Sequence, residues 1–224
     1  MIAHIDRVPQ SPGANDNGSG VAVLVEALQR IRKNPPKNIR ARFFFADEEE
    51  KGLEGSEYHL KNMDPQKIVA VFNFDMVGMG EHVFVSSGKE KLNTSDLAST
   101  AAKAVLTELG IPFSVEPWAF SDHSAFLEMD IPAVGFMTSP GSDIENIRTY
   151  LNARRKSDDE HRWRTIAEAR AHRLFLQNLE ARSKVFRTYH SKHDLPKTLN
   201  EETLQQMAAL VEGVIERMEQ YHRH

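Results

Sequence analysis

Three short apolar runs in this chain each lead into residues able to hold a metal ion. Met1-Ile2-Ala3-His4-Ile5-Asp6 carries His4 and Asp6 at its end. Ile39 to Ala46, with Phe43, Phe44 and Phe45 in succession, leads into Asp47-Glu48-Glu49-Glu50, and Val69 to Phe74 leads into Asp75. Runs this short read as strands, because a helix needs about ten residues or more. Three consecutive phenylalanines predict a strand buried on both faces. Between the runs the spacing turns helical: Val21, Leu24, Val25, Leu28 and Ile31 form an apolar stripe that Asn34-Pro35-Pro36 ends. Strands alternating with helices predict an α/β fold, a three-layer sandwich with a mostly parallel, mixed central sheet between helices. In such sheets sites gather beyond the carboxyl ends of the strands, so the three runs bring their terminal polar residues to one region.

The alternation continues with a short helix over Leu53 to Lys61, a strand over His82 to Ser86, and a helix over Thr94 to Leu109 closed by Gly110. Then come a strand at Phe113 to Glu116, a helix over Asp122 to Met129, a strand at Ala133 to Met137 and a final helix over Glu201 to Tyr221. Residues 1–224 read as one domain. The stretch from Ser142 to Val185 breaks the pattern. It holds ten lysines and arginines against seven acidic residues, leaving eighteen against twenty-five elsewhere, so a basic piece sits on an acidic body. Ile144, Ile147 and Leu151 make one apolar stripe there, and Trp163, Ile166, Leu174 and Leu179 parts of another, with a turn at Lys156-Ser157-Asp158-Asp159. The expectation is a helical hairpin inserted at 142–185. Either it packs on its own domain, or it mediates a homodimer or overhangs the site.

Composition narrows the chemistry. The 224 residues include no cysteine, which excludes disulfides, thiolate zinc sites and cysteine nucleophiles. Ten histidines and thirty-two acidic residues leave imidazole plus carboxylate as the available metal chemistry. A net charge of -4 gives no reason to expect a nucleic-acid partner. No apolar run approaches the roughly 18 residues of a membrane span. The chain opens on a strand with no signal-peptide pattern. That suggests missing upstream elements, an uncovered sheet edge at the first strand, and self-association along it.

Two further segments offer ligands: Asp16 in Gly13-Ala14-Asn15-Asp16-Asn17-Gly18-Ser19-Gly20, and His190 in Tyr189-His190-Ser191-Lys192-His193-Asp194. Singly, an acidic run is a solvated loop, a lone histidine a surface residue and a Gly/Asn/Asp loop a turn. Five such features in one domain, three of them at strand ends, favour a metal site. Asp6 follows His4 by two positions, so on a strand they share a face and the Asp6 carboxylate can accept the imidazole N–H and fix its tautomer. Ser121-Asp122-His123 is no triad, since adjacent residues do not converge on one point; Asp122 reads as an anchor beside the pocket. Gly18-Ser19-Gly20 lacks the lysine of a phosphate loop, and its glycines let backbone pass close to the metals.

The ordered motifs AHID, SPGANDNGSGVA, FFFADEEEKGLEGS, NFDMVG, SDHSAFLEMDIPAVGF and YHSKHD resemble the M28 family of zinc-dependent aminopeptidases. The resemblance runs from His4 to about Gly141 and resumes at Tyr189. It implies two Zn2+ ions, with Asp16 as the bridge, His4 and Asp75 on one ion, and Glu50 and His190 on the other. The family pattern Glu-Glu-x-Gly-Leu-x-Gly-Ser aligns with Glu49 to Ser56, which makes Glu49 the general base and leaves Glu48 outside. Two zincs about 3.5–4 Å apart hold a water and lower its pKa, and a carboxylate must lie between two dications that close. The implied activity is removal of N-terminal residues from peptide substrates, with Met76 and Trp118 as pocket-wall candidates. The alternatives are a single-zinc acyl transferase like the glutaminyl cyclases and an inactive peptide-binding relative. Many relatives are secreted or periplasmic, which is the expectation for compartment.

Overall fold

The computed structural model of the chain describes residues 1–86, 97–117, 121–157 and 166–222. Six strands form one mixed sheet: β1 (Ile2–His4), β2 (Phe44–Ala46), β3 (Val71–Phe74), β4 (His82–Ser86), β5 (Phe113–Glu116) and β6 (Ala133–Ser139), in the order β2-β1-β3-β6-β4-β5. All pairs are parallel except β4 with β6. Seven helices flank the sheet among the described residues: α1 (Ser19–Ile31), α2 (Glu54–Lys61), α3 (Leu97–Glu108), α4 (His123–Glu128), α5 (Ile144–Ser157), α6 (Ile166–Arg182) and α7 (Glu201–Tyr221). None of them is long and apolar enough to cross a membrane.

The two-residue period of the strands sorts side chains into layers. Phe72, Phe74, Val83, Val85, Val134 and Phe136 face one side, where they pack with α1, α3 and α7. α7 supplies Met207, Leu210, Val211, Val214, Ile215 and Met218 at helical spacing, and Asn200 caps it by accepting the Thr203 N–H at 3.1 Å. On the other side Ile2, Val71 and Ala133 meet α4, and Phe84 and Met137 meet α5. That is the expected three-layer sandwich.

Two expectations are corrected. The strand over Ile39 to Ala46 shrinks to Phe44–Ala46 at the sheet edge, and Phe43, Phe44 and Phe45 are only half-buried. Its one ladder partner, β1, is three residues long, so the ladder does not extend over 39–43, where the Met1 amine donates to the Arg42 carbonyl at 2.8 Å. β1 is not an edge strand either: it lies between β2 and β3, and the edge strands are β2 and β5. The segment over 142–185 is a helical pair, as its stripes predict, and of its two readings the structure shows packing on its own domain. Ile147, Tyr150, Leu151 and Leu179 are buried with Phe84 and Met137 of the sheet. Asp143 ties the hairpin's ends together, its Oδ2 accepting the Ser183 hydroxyl and the Lys184 N–H at 2.7 Å each. Leu174 faces solvent, 53% exposed. Trp163, the Ile166 side chain and the turn at Asp158-Asp159 lie outside the described residues, as does the helix start at Thr94.

Candidate metal centre

Three strand ends, the turn before α1 and one late turn meet beyond the carboxyl ends of β1, β2 and β3. His4 ends β1 with its ring fully buried. Asp75 follows β3, and Glu49 and Glu50 begin a single helical turn after β2. Asp16 lies in the irregular turn before α1, and His190 in a turn before α7, at φ 52°. Its ring stacks on Tyr189 at 3.7 Å between centroids.

Asp16 sits between the two histidines. Its Oδ1 lies 3.2 Å from His4 Nε2 and its Oδ2 3.2 Å from His190 Nε2. His4 Nε2 is also 3.4 Å from Asp75 Oδ1, and His190 Nε2 is 2.8 Å from Glu50 Oε2. Two sets of ligand atoms result, each within 4.8 Å: His4, Glu49 and Asp75, and Asp16, Glu50 and His190. The adjacent Glu49 and Glu50 thus serve opposite halves. Glu48 turns away and pairs with Lys51 at 2.6 Å. Gly55 makes the turn possible: a Cβ there would meet the Asp47 carbonyl at 2.0 Å.

The site is electrostatically strained as a set of bare side chains. Burial opposes charge on His4, but Asp75, Asp16 and Asp6 outweigh it and hold its proton well above the histidine range. Burial likewise opposes charge on His190, yet Asp16 and Glu50 raise it to about 9. Burial also works against the Asp16 carboxylate, and contact with His190 and His4 reverses this, pulling it down to about 2. Glu49 goes the other way, pushed up to about 9 by burial and then by Asp75. Asp122, fully buried nearby, is pushed to about 6 by burial.

His4 Nε2, His190 Nε2, Glu50 Oε1 and Asp75 Oδ1 are buried without a hydrogen-bond partner, though all point into one space. Buried polar atoms ordinarily find partners. Two imidazoles and several carboxylates converging without mutual hydrogen bonds are a donor set suited to zinc.

The profile of peptidase family M28 matches residues 1–215. The chain belongs to this family. It is similar to aminopeptidase YwaD of Bacillus subtilis, 34% identical over 145 residues that cover 61% of this chain and 31% of that protein. Leucine aminopeptidase 2 of Trichophyton rubrum is 32% identical over 149 residues, 61% of this chain and 30% of that protein. The chain thus spans about a third of the length of these curated relatives. Among solved structures, a zinc aminopeptidase from Bacillus subtilis superposes with a TM-score of 0.70 at 24% identity, covering 97% of this chain and 45% of that one. A glutaminyl cyclase from an Acidobacteriales bacterium shares the fold too, with a TM-score of 0.65 at 18% identity over 98% of this chain and 69% of that one.

Further residues of this M28 chain hold the cluster in shape. Asp6 does more than the sequence shows. Besides lying 3.3 Å from His4 Nδ1, its carboxylate accepts the Glu49 and Glu50 N–H groups at 3.1 Å each. Asn17 ties the Asp16 loop to β3: its amide donates to the Phe74 carbonyl at 2.9 Å, and its Oδ1 accepts the Gly20 N–H at 3.0 Å. At Gly20 a Cβ would lie 2.2 Å from the Phe74 carbonyl. That glycine therefore serves the approach of α1 to β3 more than an approach to metals. Asp194 accepts two backbone amides of the same loop. The sequence near Asn17 and Asp194 carries no signal of these roles, because each bonds backbone far away in sequence.

Met76 is 6% exposed and packs with Phe84, Met137 and Ile147 beneath the hairpin. Trp118 lies outside the described residues.

Proposed function

We propose that the chain carries the active site of a zinc-dependent aminopeptidase that hydrolyses N-terminal residues from peptides. The observation that carries this reading is Asp16, whose two carboxylate oxygens each face a different histidine at 3.2 Å. His4, Asp75 and Asp16 would hold one zinc ion, and Glu50, His190 and Asp16 the other. The two ions would supply polarisation of the scissile carbonyl and a water of lowered pKa. Glu49 would accept the proton of that attacking water and hand it to the leaving amine. Its carboxyl keeps its proton up to about 9 among bare side chains, and positive charge placed at His4 and Asp75 favours its ionised form. Asp6 would hold His4 in one tautomer and aim Glu49 and Glu50 to their separate halves. The hairpin over 142–185 is, on this reading, an elaboration of a single peptidase domain.

The single-zinc acyl transferase is the second reading, since a glutaminyl cyclase shares the fold. The two separate ligand sets favour the dinuclear peptidase. A panel of aminoacyl chromogenic substrates beside an N-terminal glutaminyl peptide decides between them. Release of the chromophore without cyclisation supports the peptidase; cyclisation without release supports the other.

A further inference from the structure

Asp194 is fully buried and lies four residues beyond His190. Its Oδ1 accepts the Asn15 N–H at 2.7 Å and its Oδ2 the Asp16 N–H at 3.0 Å. Its main-chain carbonyl accepts the Ala14 N–H at 3.3 Å, so three successive amides end on one residue. The Asp194 N–H in turn donates to the Ser191 carbonyl at 3.1 Å, closing the turn that directly follows His190, and the Ser191 N–H donates to the Thr188 carbonyl at 3.1 Å across His190 itself. One residue therefore joins the loop of Asp16 to the turn of His190, whose side chains approach to 3.2 Å. His4 and Asp75 need no such joint, because the parallel ladders of β1 and β3 already fix the ends of those strands.

Resting on the two-zinc reading, we propose that Asp194 is a positioning residue that presets Asp16 against His190 and so sets the affinity of the Asp16–Glu50–His190 metal position, leaving the His4–Asp75 position nearly untouched. A carboxylate is the one short side chain that offers an acceptor to each of two adjacent amides. Asparagine of the same shape offers one acceptor and turns an NH2 toward the other N–H. The loop is then free to rotate the Asp16 oxygen that faces His190, while Asn17 still holds its far side to β3.

The test is a stepwise cobalt titration of the metal-free chain, followed by calorimetry and by the visible cobalt spectrum, for the parent and for Asp194→Asn. The parent takes up two ions in distinguishable steps. In Asp194→Asn one step stays within about twofold of the parent and the other weakens about 10- to 100-fold, the usual effect of losing a partner that orients a ligand. Its cobalt band changes for the weakened step alone. Two unchanged steps overturn the proposal, and so do two steps weakened by one common factor, which is what a purely structural loss produces. A parent that takes up a single ion overturns the two-zinc reading itself, and this is seen before any variant is compared. Hydrogen exchange on the metal-free parent needs no variant. The Asn15 and Asp16 amides should be protected at least about 100-fold over free peptide, and exchange at open-loop rates overturns the clamp.

Discussion

Asp6→Asn removes a group that bonds to the backbone of both Glu49 and Glu50, which serve opposite halves of the site. The Asp6 carboxylate accepts the Glu49 and Glu50 amides at 3.1 Å each and lies 3.3 Å from His4 Nδ1. Its side chain is only 15% exposed, so water replaces those contacts poorly. Hydrogen bonds to a charged acceptor are worth about 1.5–3 kcal/mol each. Asparagine keeps one acceptor oxygen and presents an NH2 to the second amide, so at least one such bond is lost. That corresponds to about 10- to 150-fold in whatever equilibrium or barrier the turn controls. Because the turn carries a metal ligand and the proposed base, zinc affinity and kcat/KM should both fall. The assay is zinc competition against a chelator, alongside kcat/KM on an aminoacyl substrate at saturating zinc. Activity should stay depressed at saturation, since Glu49 is misaimed as well. Full recovery at saturating zinc contradicts the orienting role toward Glu49. A folded variant within twofold of the parent in both measures contradicts the reasoning entirely.

Three further outcomes are expected. Glu49→Gln should keep its metals and lose about 10²–10⁴-fold in kcat, Glu50→Gln should lose metal, and Glu48→Gln should change neither; metal content and kcat together check the assignment. The metal-free chain should lose stability steadily from about pH 4.5 to pH 9, read by urea midpoints. Glu49 and His190 both have folded values raised to about 9, so their contribution is complete below the unfolded values and vanishes as pH rises through the folded ones. Zinc added at pH 8 should restore it, and a flat profile contradicts the charge assignment. In the hairpin, Ile147→Ala should cost about 2–5 kcal/mol because the side chain is fully buried, whereas Leu174→Ala, half in solvent, should stay within about 0.5 kcal/mol; equal small effects would show that the hairpin stands apart from the core.

Much of this was legible because strand ends and ligands coincide in sequence. His4, the Glu49-Glu50 pair and Asp75 follow apolar runs directly, so locating the strands located them. α7 was legible because its apolar period is long. The Phe43–Phe45 run misled because hydrophobicity reports burial and not pairing: at the edge, Phe44 half-buried against α2 and Phe43 and Phe45 half-buried on the opposite layer give the same letters as a central strand. His59 of that helix stacks on Phe44 at 4.0 Å. The hairpin's stripes showed that two helices exist but not where they dock, since the partner surface, Phe84 and Met137, lies on strands that read as ordinary core. The clamps made by Asp6, Asn17 and Asp194 were beyond the sequence, because a side chain that accepts backbone amides leaves no mark on the residues it holds.

The central claim is that two metal ions share Asp16. Anomalous diffraction at the zinc edge, on crystals grown with zinc, tests it most directly. The account predicts two peaks per chain, one contacting His4 and Asp75, the other Glu50 and His190, with a different Asp16 oxygen on each. A single peak at full occupancy, or two peaks that leave Asp16 uncoordinated, would contradict it.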